Sequence, residues 1–357
     1  MTALASDAPH RAWIFAALLG VSACGGGGGG SGGGSPPRGN QPPTAADACV
    51  AVPSASATLS GRLPGSDPDG NALIYEILDY PLNGSLSTDP SGNYTYTPYA
   101  NARGMDRFTY RVSDPSGLVS DVGTMALLVD GSLRIMPLGD SITAGFMPGL
   151  PESQYVGYRR KLHSDLSALG LPVDFVGSVA HQGGSANPPL ADRDHEGHDG
   201  WCDDNTPYCT VSSGRTIADN IAGFLDANPP DIVLLHIGTN HFDTNSAGVE
   251  RILDGINAWA EGHYRVSVFV ARIIPTLDGS LDVTTFNQNV ANVAFDRSRT
   301  RIWLVDQQSQ LSLPDDGNRA DPRWMTDDLH PNQTGYDRLA DRWRLDLVSS
   351  GALPTCD

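Results

Sequence analysis

The chain has 357 residues, with 23 basic against 41 acidic side chains and a formal net charge of −18. That length suits two folded units or one large one. With no Lys/Arg cluster to offset the acidity, nucleic acid is excluded as a partner.

Residues 1–23 read as an export signal: His10 and Arg11 precede an apolar run, Ala12 to Val21, that is too short to span a bilayer permanently. The run closes with Val21-Ser-Ala-Cys24, which resembles the lipobox of bacterial lipoproteins. The resemblance implies cleavage before Cys24, lipidation of its thiol and a membrane-anchored protein at the outer membrane or cell surface. Residues 24–45 are rich in Gly, Ser and Pro, a composition with nothing to bury, and read as a tether. The Gly29-Gly-Ser-Gly-Gly33 match to a nucleophile elbow lies in this tether, without a strand before it, and carries no chemistry.

Residues 46–130 read as all-β. Alternating segments such as Asn93-Tyr-Thr-Tyr-Thr97 and Arg107-Phe-Thr-Tyr-Arg-Val112 are punctuated by Asp89-Pro-Ser-Gly92 and Asp114-Pro-Ser-Gly117, the spacing of a sandwich. The order Gly65-Ser-Asp-Pro-Asp-Gly-Asn71, Asn83-Gly-Ser-Leu86 and Phe108-Thr-Tyr-Arg-Val-Ser-Asp114 resembles bacterial cadherin-like, immunoglobulin-type modules, which serve as spacers or adhesive units. Asp67, Asp69 and Asn71 have the spacing that opens a calcium loop, but Ala72 and Leu78 stand where it needs Gly and Glu, so the segment reads as an Asx turn.

Residues 131–357 alternate short apolar runs with amphipathic stretches, the pattern of a parallel sheet covered on both faces. Five strands are expected: Leu133 to Leu138, Val173 to Gly177, Ile232 to Ile237, Val266 to Ile274 and Ile302 to Val305. One helix face carries Tyr155, Tyr158, Leu162, Leu166 and Leu169 before Gly170; a second carries Val249, Ile252, Leu253, Ile256 and Trp259; the last carries Tyr336, Leu339, Ala340, Trp343 and Leu347.

Ligand sites of open α/β sheets form outside the carboxyl ends of the strands. Gly139-Asp-Ser-Ile-Thr143 follows the first strand, Gly200 lies in the loop after the second, Gly238-Thr-Asn240 follows the third and His330 follows the fifth. A serine hydroxyl needs an imidazole to take its proton and a carboxylate to fix that imidazole. Ser141 and His330 fit the first two roles, while chemistry alone leaves Asp327 and Asp328 both open for the third. Oxyanion donors are available from the backbone N–H groups of Ser141 and Gly200 and the amide of Asn240. Cys202 and Cys209 are close enough to staple a short loop, leaving Cys49 and Cys356 as a long-range pair. Asp194, His195, Glu196, His198 and Asp199 gather potential ligands, but their spacing is not that of a helical zinc motif. No metal or cofactor is expected, and His236 reads as a core histidine.

These pieces occur in the order of the SGNH (GDSL) hydrolases. Gly139-Asp-Ser-Ile-Thr143 resembles their first block, Glu196-Gly-His-Asp-Gly-Trp201 the second, Gly238-Thr-Asn240 the third and Asp327-x-x-His330 the last. The resemblance implies a three-layer α/β/α, flavodoxin-like domain with sheet order 2-1-3-4-5, preceded by the all-β sandwich. It also implies a Ser141–His330–Asp327 triad, choosing Asp327 over Asp328, and an oxyanion hole of Ser141, Gly200 and Asn240. His241 stands where the family usually has Asp. Arg134 to Thr143, Gly157 to Leu162, Val173 to Ser178 and His195 to Trp201 further resemble the carbohydrate-esterase branch that contains acetylxylan esterases. The implied substrate is an O-acetyl ester on a polysaccharide or oligosaccharide, cleaved through an acyl-enzyme. The alternatives are a lipase, phospholipase or thioesterase of the same fold, or a surface-anchored polysaccharide-binding protein.

Overall fold

Seven strands between Ala48 and Val129 form two facing sheets, one of four strands and one of three. In the larger sheet Ala48–Val52 runs parallel to Gly123–Val129, which pairs antiparallel with Gly104–Ser113. The computed structural model describes residues 39–100, 102–180, 190–205, 209, 216–240 and 243–353. Residues 1–23, Cys24, most of the tether, His241 and Cys356 therefore lie outside the described residues. Residues 41–357 form one unit.

Along Gly104–Ser113 every second residue is buried, so Phe108, Tyr110 and Val112 reach one core with Val52, Tyr96, Met125 and Leu127 from both sheets. Gly84 fits because a Cβ there would stand 2.3 Å from the Tyr96 ring. At the Asx segment, the Asp67 carboxylate accepts the backbone amides of Asp69 at 2.9 Å and Asn71 at 3.1 Å.

Asp130 and Gly131, both at positive φ (69° and 76°), turn the chain into the α/β layer. Its first strand, Leu133–Gly139, pairs in parallel with Ile232–His236, which pairs with Val266–Arg272, which pairs with Thr300–Asp306. Two segments share the other edge of the first strand: Val173–Phe175 along its start and Asp194–Gly197 along its end. The expected strand from Val173 to Gly177 thus stops early. A Cβ at Gly177 would lie 2.0 Å from the His195 carbonyl carbon, so the chain passes directly over the segment that takes over the edge.

Leu133 and Ile135 pack with Phe269, Leu339 and Trp343 on one face of the sheet, while Met136 and Leu138 pack with Ile221, Ile252 and Ile256 on the other. This period-two division produces the two helical layers. Ala247–Glu261 and Gln333–Ser349 bury the residues expected of them. The helix Arg159–Ser167 buries Leu162 and Leu166, but Leu169 falls beyond its end and is 47% exposed, a correction to the expected face.

Candidate active site

Ser141 opens a one-turn helix, Ser141–Ala144, at the carboxyl end of the first strand. Asp140 caps it, accepting the amide of Ile142 at 2.9 Å, and Gly145 closes it at φ 84°. Gly139 cannot carry a side chain, since a Cβ would meet the His236 carbonyl oxygen at 1.9 Å and the Thr143 hydroxyl at 2.6 Å. Asp140 is fully buried, and that burial pushes its carboxyl up to about 7.

The Ser141 Oγ lies 3.0 Å from His330 Nε2. On the far side of the ring, His330 Nδ1 meets both Asp327 oxygens, at 2.9 and 3.0 Å. Asp327 Oδ1 also accepts the backbone amides of Leu329 at 2.9 Å and His330 at 2.7 Å, so a single turn holds both acid and imidazole. Burial alone would raise the Asp327 carboxyl, but the His330 ring and these two amides hold it below its ordinary value. The Asp328 side chain is exposed and makes no hydrogen bond among the described residues. With its Nδ1–H directed at Asp327, the imidazole presents Nε2 as an acceptor to the hydroxyl.

Gly200 and Asn240 arrive from neighbouring strands. His198 N donates to the Gly139 carbonyl at 2.9 Å, which draws the second motif against the first. Gly197 packs so closely there that a Cβ would lie 2.5 Å from Ala144 N. Gly200 has φ 73°, and one Asn240 Nδ2–H donates to the carbonyl of the next residue, Trp201, at 2.9 Å. Gly200 was expected in a loop after Val173–Gly177; the strand Asp194–Gly197 intervenes and delivers it from the sheet edge itself.

Several supporting residues were not singled out from the sequence. Phe146 packs on the His330 ring at 4.3 Å between centroids, and its own carbonyl accepts from Tyr336 Oη at 2.9 Å. Nothing in the spacing of Phe146 signals this role. The Glu196 and His198 considered as metal ligands instead bond to each other, Oε1 to Nε2 at 2.6 Å. The buried Glu196 also accepts the amide and hydroxyl of Ser178, and His198 packs against both Trp201 and Phe224, at 4.2 and 5.1 Å between ring centroids. No group of three His, Cys, Asp or Glu suited to a metal occurs among the described residues. His236 is fully buried, which lowers its pKa to about 4 and keeps it neutral.

Cys202 and Cys209 form a disulfide with Cα atoms 6.0 Å apart, closing the loop beyond Trp201. Cys49 is also disulfide-bonded; its expected partner Cys356 lies outside the described residues.

A hydroxyl, an imidazole and a carboxylate in series at the carboxyl edge of a parallel sheet have the geometry of a nucleophile, base and orienting acid. Comparison with known proteins adds a family likeness. Residues 40–126 match the family described as bacterial Ig domain. Over 255 residues the chain is 27% identical to a multidomain esterase of Ruminococcus flavefaciens, covering 64% of this chain and 31% of that protein. The chain thus spans about a third of its curated relative. Among solved structures it is similar to a carbohydrate esterase family 3 protein from Talaromyces cellulolyticus, with 26% identity, a TM-score of 0.45, and coverage of 61% of this chain and 97% of that one. An acetyl esterase crystallised with acetate is similar at 25% identity and a TM-score of 0.45, over 61% and 97% of the two chains. The chain is thus similar over 255 residues to a protein named as an esterase, and its residues 40–126 match a bacterial Ig domain family.

Proposed function

We propose that the protein is a serine esterase that removes short acyl groups, acetyl foremost, from carbohydrates. The observation that carries this reading is the continuous chain from Ser141 Oγ through His330 to Asp327. His330 Nε2 takes the Ser141 proton as Oγ attacks the ester carbonyl. The backbone N–H groups of Ser141 and Gly200 and the free Asn240 amide N–H receive the developing oxyanion. The protonated His330, stabilised by Asp327, then returns its proton to the leaving sugar hydroxyl. Water repeats the sequence on the acyl-enzyme, releasing the acid and restoring the serine.

The carbohydrate preference is supported by likeness to proteins named as esterases, one of them a carbohydrate esterase. The anchored location is supported by the residues ahead of Cys24, with the 46–130 sandwich as spacer and residues 131–357 as esterase domain. Loss of the protein from the membrane fraction in a Cys24→Ala variant tests the anchor.

The esterase reading is tested by hydrolysis of p-nitrophenyl acetate and octanoate, wild type beside Ser141→Ala, with and without EDTA. Acetate-selective, EDTA-insensitive hydrolysis that disappears in the variant is expected, followed by acetate release from acetylated xylan. Hydrolysis that survives Ser141→Ala overturns the assignment; a preference for octanoate moves it to a lipase or thioesterase.

A further inference from the structure

A cleft of about 440 Å³ opens between the sandwich and the amino-terminal edge of the parallel sheet, the edge opposite Ser141. Its volume lies within the range of small-ligand sites, about 300–1,000 Å³. Three guanidinium groups line it: Arg107 from the sandwich strand Gly104–Ser113, Arg265 just ahead of Val266–Arg272, and Arg301 in Thr300–Asp306. In a chain of net charge −18 such a grouping runs against the composition. Burial, then the field of Arg301 and, more weakly, that of Arg265, hold the Arg107 guanidinium below its ordinary value, opposed by Asp79.

The two buried carboxylates of this cleft, Asp106 and Asp231, are already committed. Asp106 receives the amides of Leu82, Asn83 and Arg107 and the Tyr96 hydroxyl. Asp231 receives the amides of Arg134 and Met105, and Asp79 receives Thr109 Oγ1. The donors are not: Arg265 and Arg301 make no ion pair or side-chain hydrogen bond among the described residues, and Arg107 reaches only the Gly351 carbonyl, at 3.2 Å. The cleft also offers aromatic surface. Tyr80 is 62% exposed, and Trp303, two residues from Arg301 on the same strand face, stacks on Phe269 at 4.8 Å.

We propose that this cleft is a second, non-catalytic binding site for a sugar bearing an oxyanion, with the carboxylate of a uronic acid unit as its ligand. Guanidinium forks match a planar carboxylate bidentately. The rings of Tyr80 and Trp303 supply the flat apolar faces against which the C–H side of a pyranose packs. A free inorganic anion uses the first feature and not the second. Because the cleft stands at the other end of the sheet from Ser141, its occupancy is read without reference to hydrolysis.

The test is titration calorimetry of the whole protein with tetragalacturonate, a neutral xylotetraose and sodium sulfate. Tetragalacturonate binds, xylotetraose does not, and added NaCl weakens the binding. Arg265→Gln/Arg301→Gln weakens it by about tenfold or more, the equivalent of losing one charge-assisted hydrogen bond. Tyr80→Ala weakens the oligosaccharide and leaves any sulfate binding unchanged. Arg265→Gln alone, at an exposed side chain, serves if the double variant loses its unfolding transition. Equal binding of xylotetraose, unchanged affinity in the arginine variants, sulfate binding without oligosaccharide binding, or no binding at all overturns the proposal.

Discussion

The centre of the sandwich is built around tyrosines, whereas the α/β layers are packed on both faces of the sheet mainly by aliphatic side chains, with Phe269 and Trp343 among them. In the sandwich, Tyr96 Oη donates to the buried Asp106 at 2.8 Å, and Tyr110 Oη lies 2.5 Å from the Ala46 carbonyl and 2.6 Å from that of Pro64. With one thin core, polar groups cannot be kept out of it, so each must be matched where it is buried. The α/β region has two apolar layers and concentrates Asp140, Ser141 and Glu196 at one edge of the sheet. Buried polar groups therefore hold the fold together in the first region, whereas at this edge of the second Asp140 and Glu196 hold the loops that present Ser141.

That contrast makes variants separable by what they lose. The largest effect is expected at Ser141→Ala and His330→Ala, each lowering kcat for p-nitrophenyl acetate by about 10⁶-fold while the thermal midpoint stays near wild type. Stability falling in step would break the comparison. Asp327→Asn is expected to cost about 10⁴-fold in the same assay, because the tautomer and orientation of His330 are lost while the nucleophile stays. Asn240→Ala, leaving the triad intact, is expected to lower kcat by about 10²–10³-fold.

The sandwich should behave inversely. Tyr96→Phe leaves Asp106 with one donor fewer in a buried site and is expected to destabilise the protein by about 1–3 kcal/mol in urea unfolding, with ester hydrolysis by the folded protein unchanged. The smallest effect is a pH slope at the junction of the two regions. Burial raises the Asp231 carboxyl from its ordinary 3.8 to about 7. Between those values the folded protein holds a proton that the unfolded chain has released, so the contribution of Asp231 to stability is fully present below about 3.8 and is lost as pH rises to about 7. Asp231→Asn should flatten the decline of the unfolding midpoint across this window without abolishing it, because Asp140 is shifted the same way.

Much of the candidate site could be read from local spacing. Asp327 and His330 are three residues apart and meet within one turn, and Ser141, Gly200 and Asn240 each follow a strand, where parallel sheets place their loops. What escaped the sequence lacked a local signature. The strand Asp194–Gly197 is four residues of Asp, His, Glu and Gly with no apolar run, and it becomes a strand because the first strand's edge is open beyond Phe175. The same closeness in sequence that made Glu196 and His198 resemble metal ligands serves a hydrogen bond, visible only once Trp201 and Phe224 are seen to pack against the ring. Leu169 was placed by extending a period of 3.6 past the point where the helix stops.

The sequence by itself determined the two patterns, period two and then strands alternating with helices, the glycines at its tight turns and the order of the reactive residues. Those are properties of the chain over a few neighbours, set by backbone sterics and hydrophobic period. The tertiary structure decided which of two adjacent acids faces the imidazole, which ring lies on it, and where arginines from distant segments gather beside acceptors already spent. Those outcomes depend on contacts between residues far apart in sequence, such as Ser141 with His330 and Met105 with Asp231, which exist only after the layers have packed.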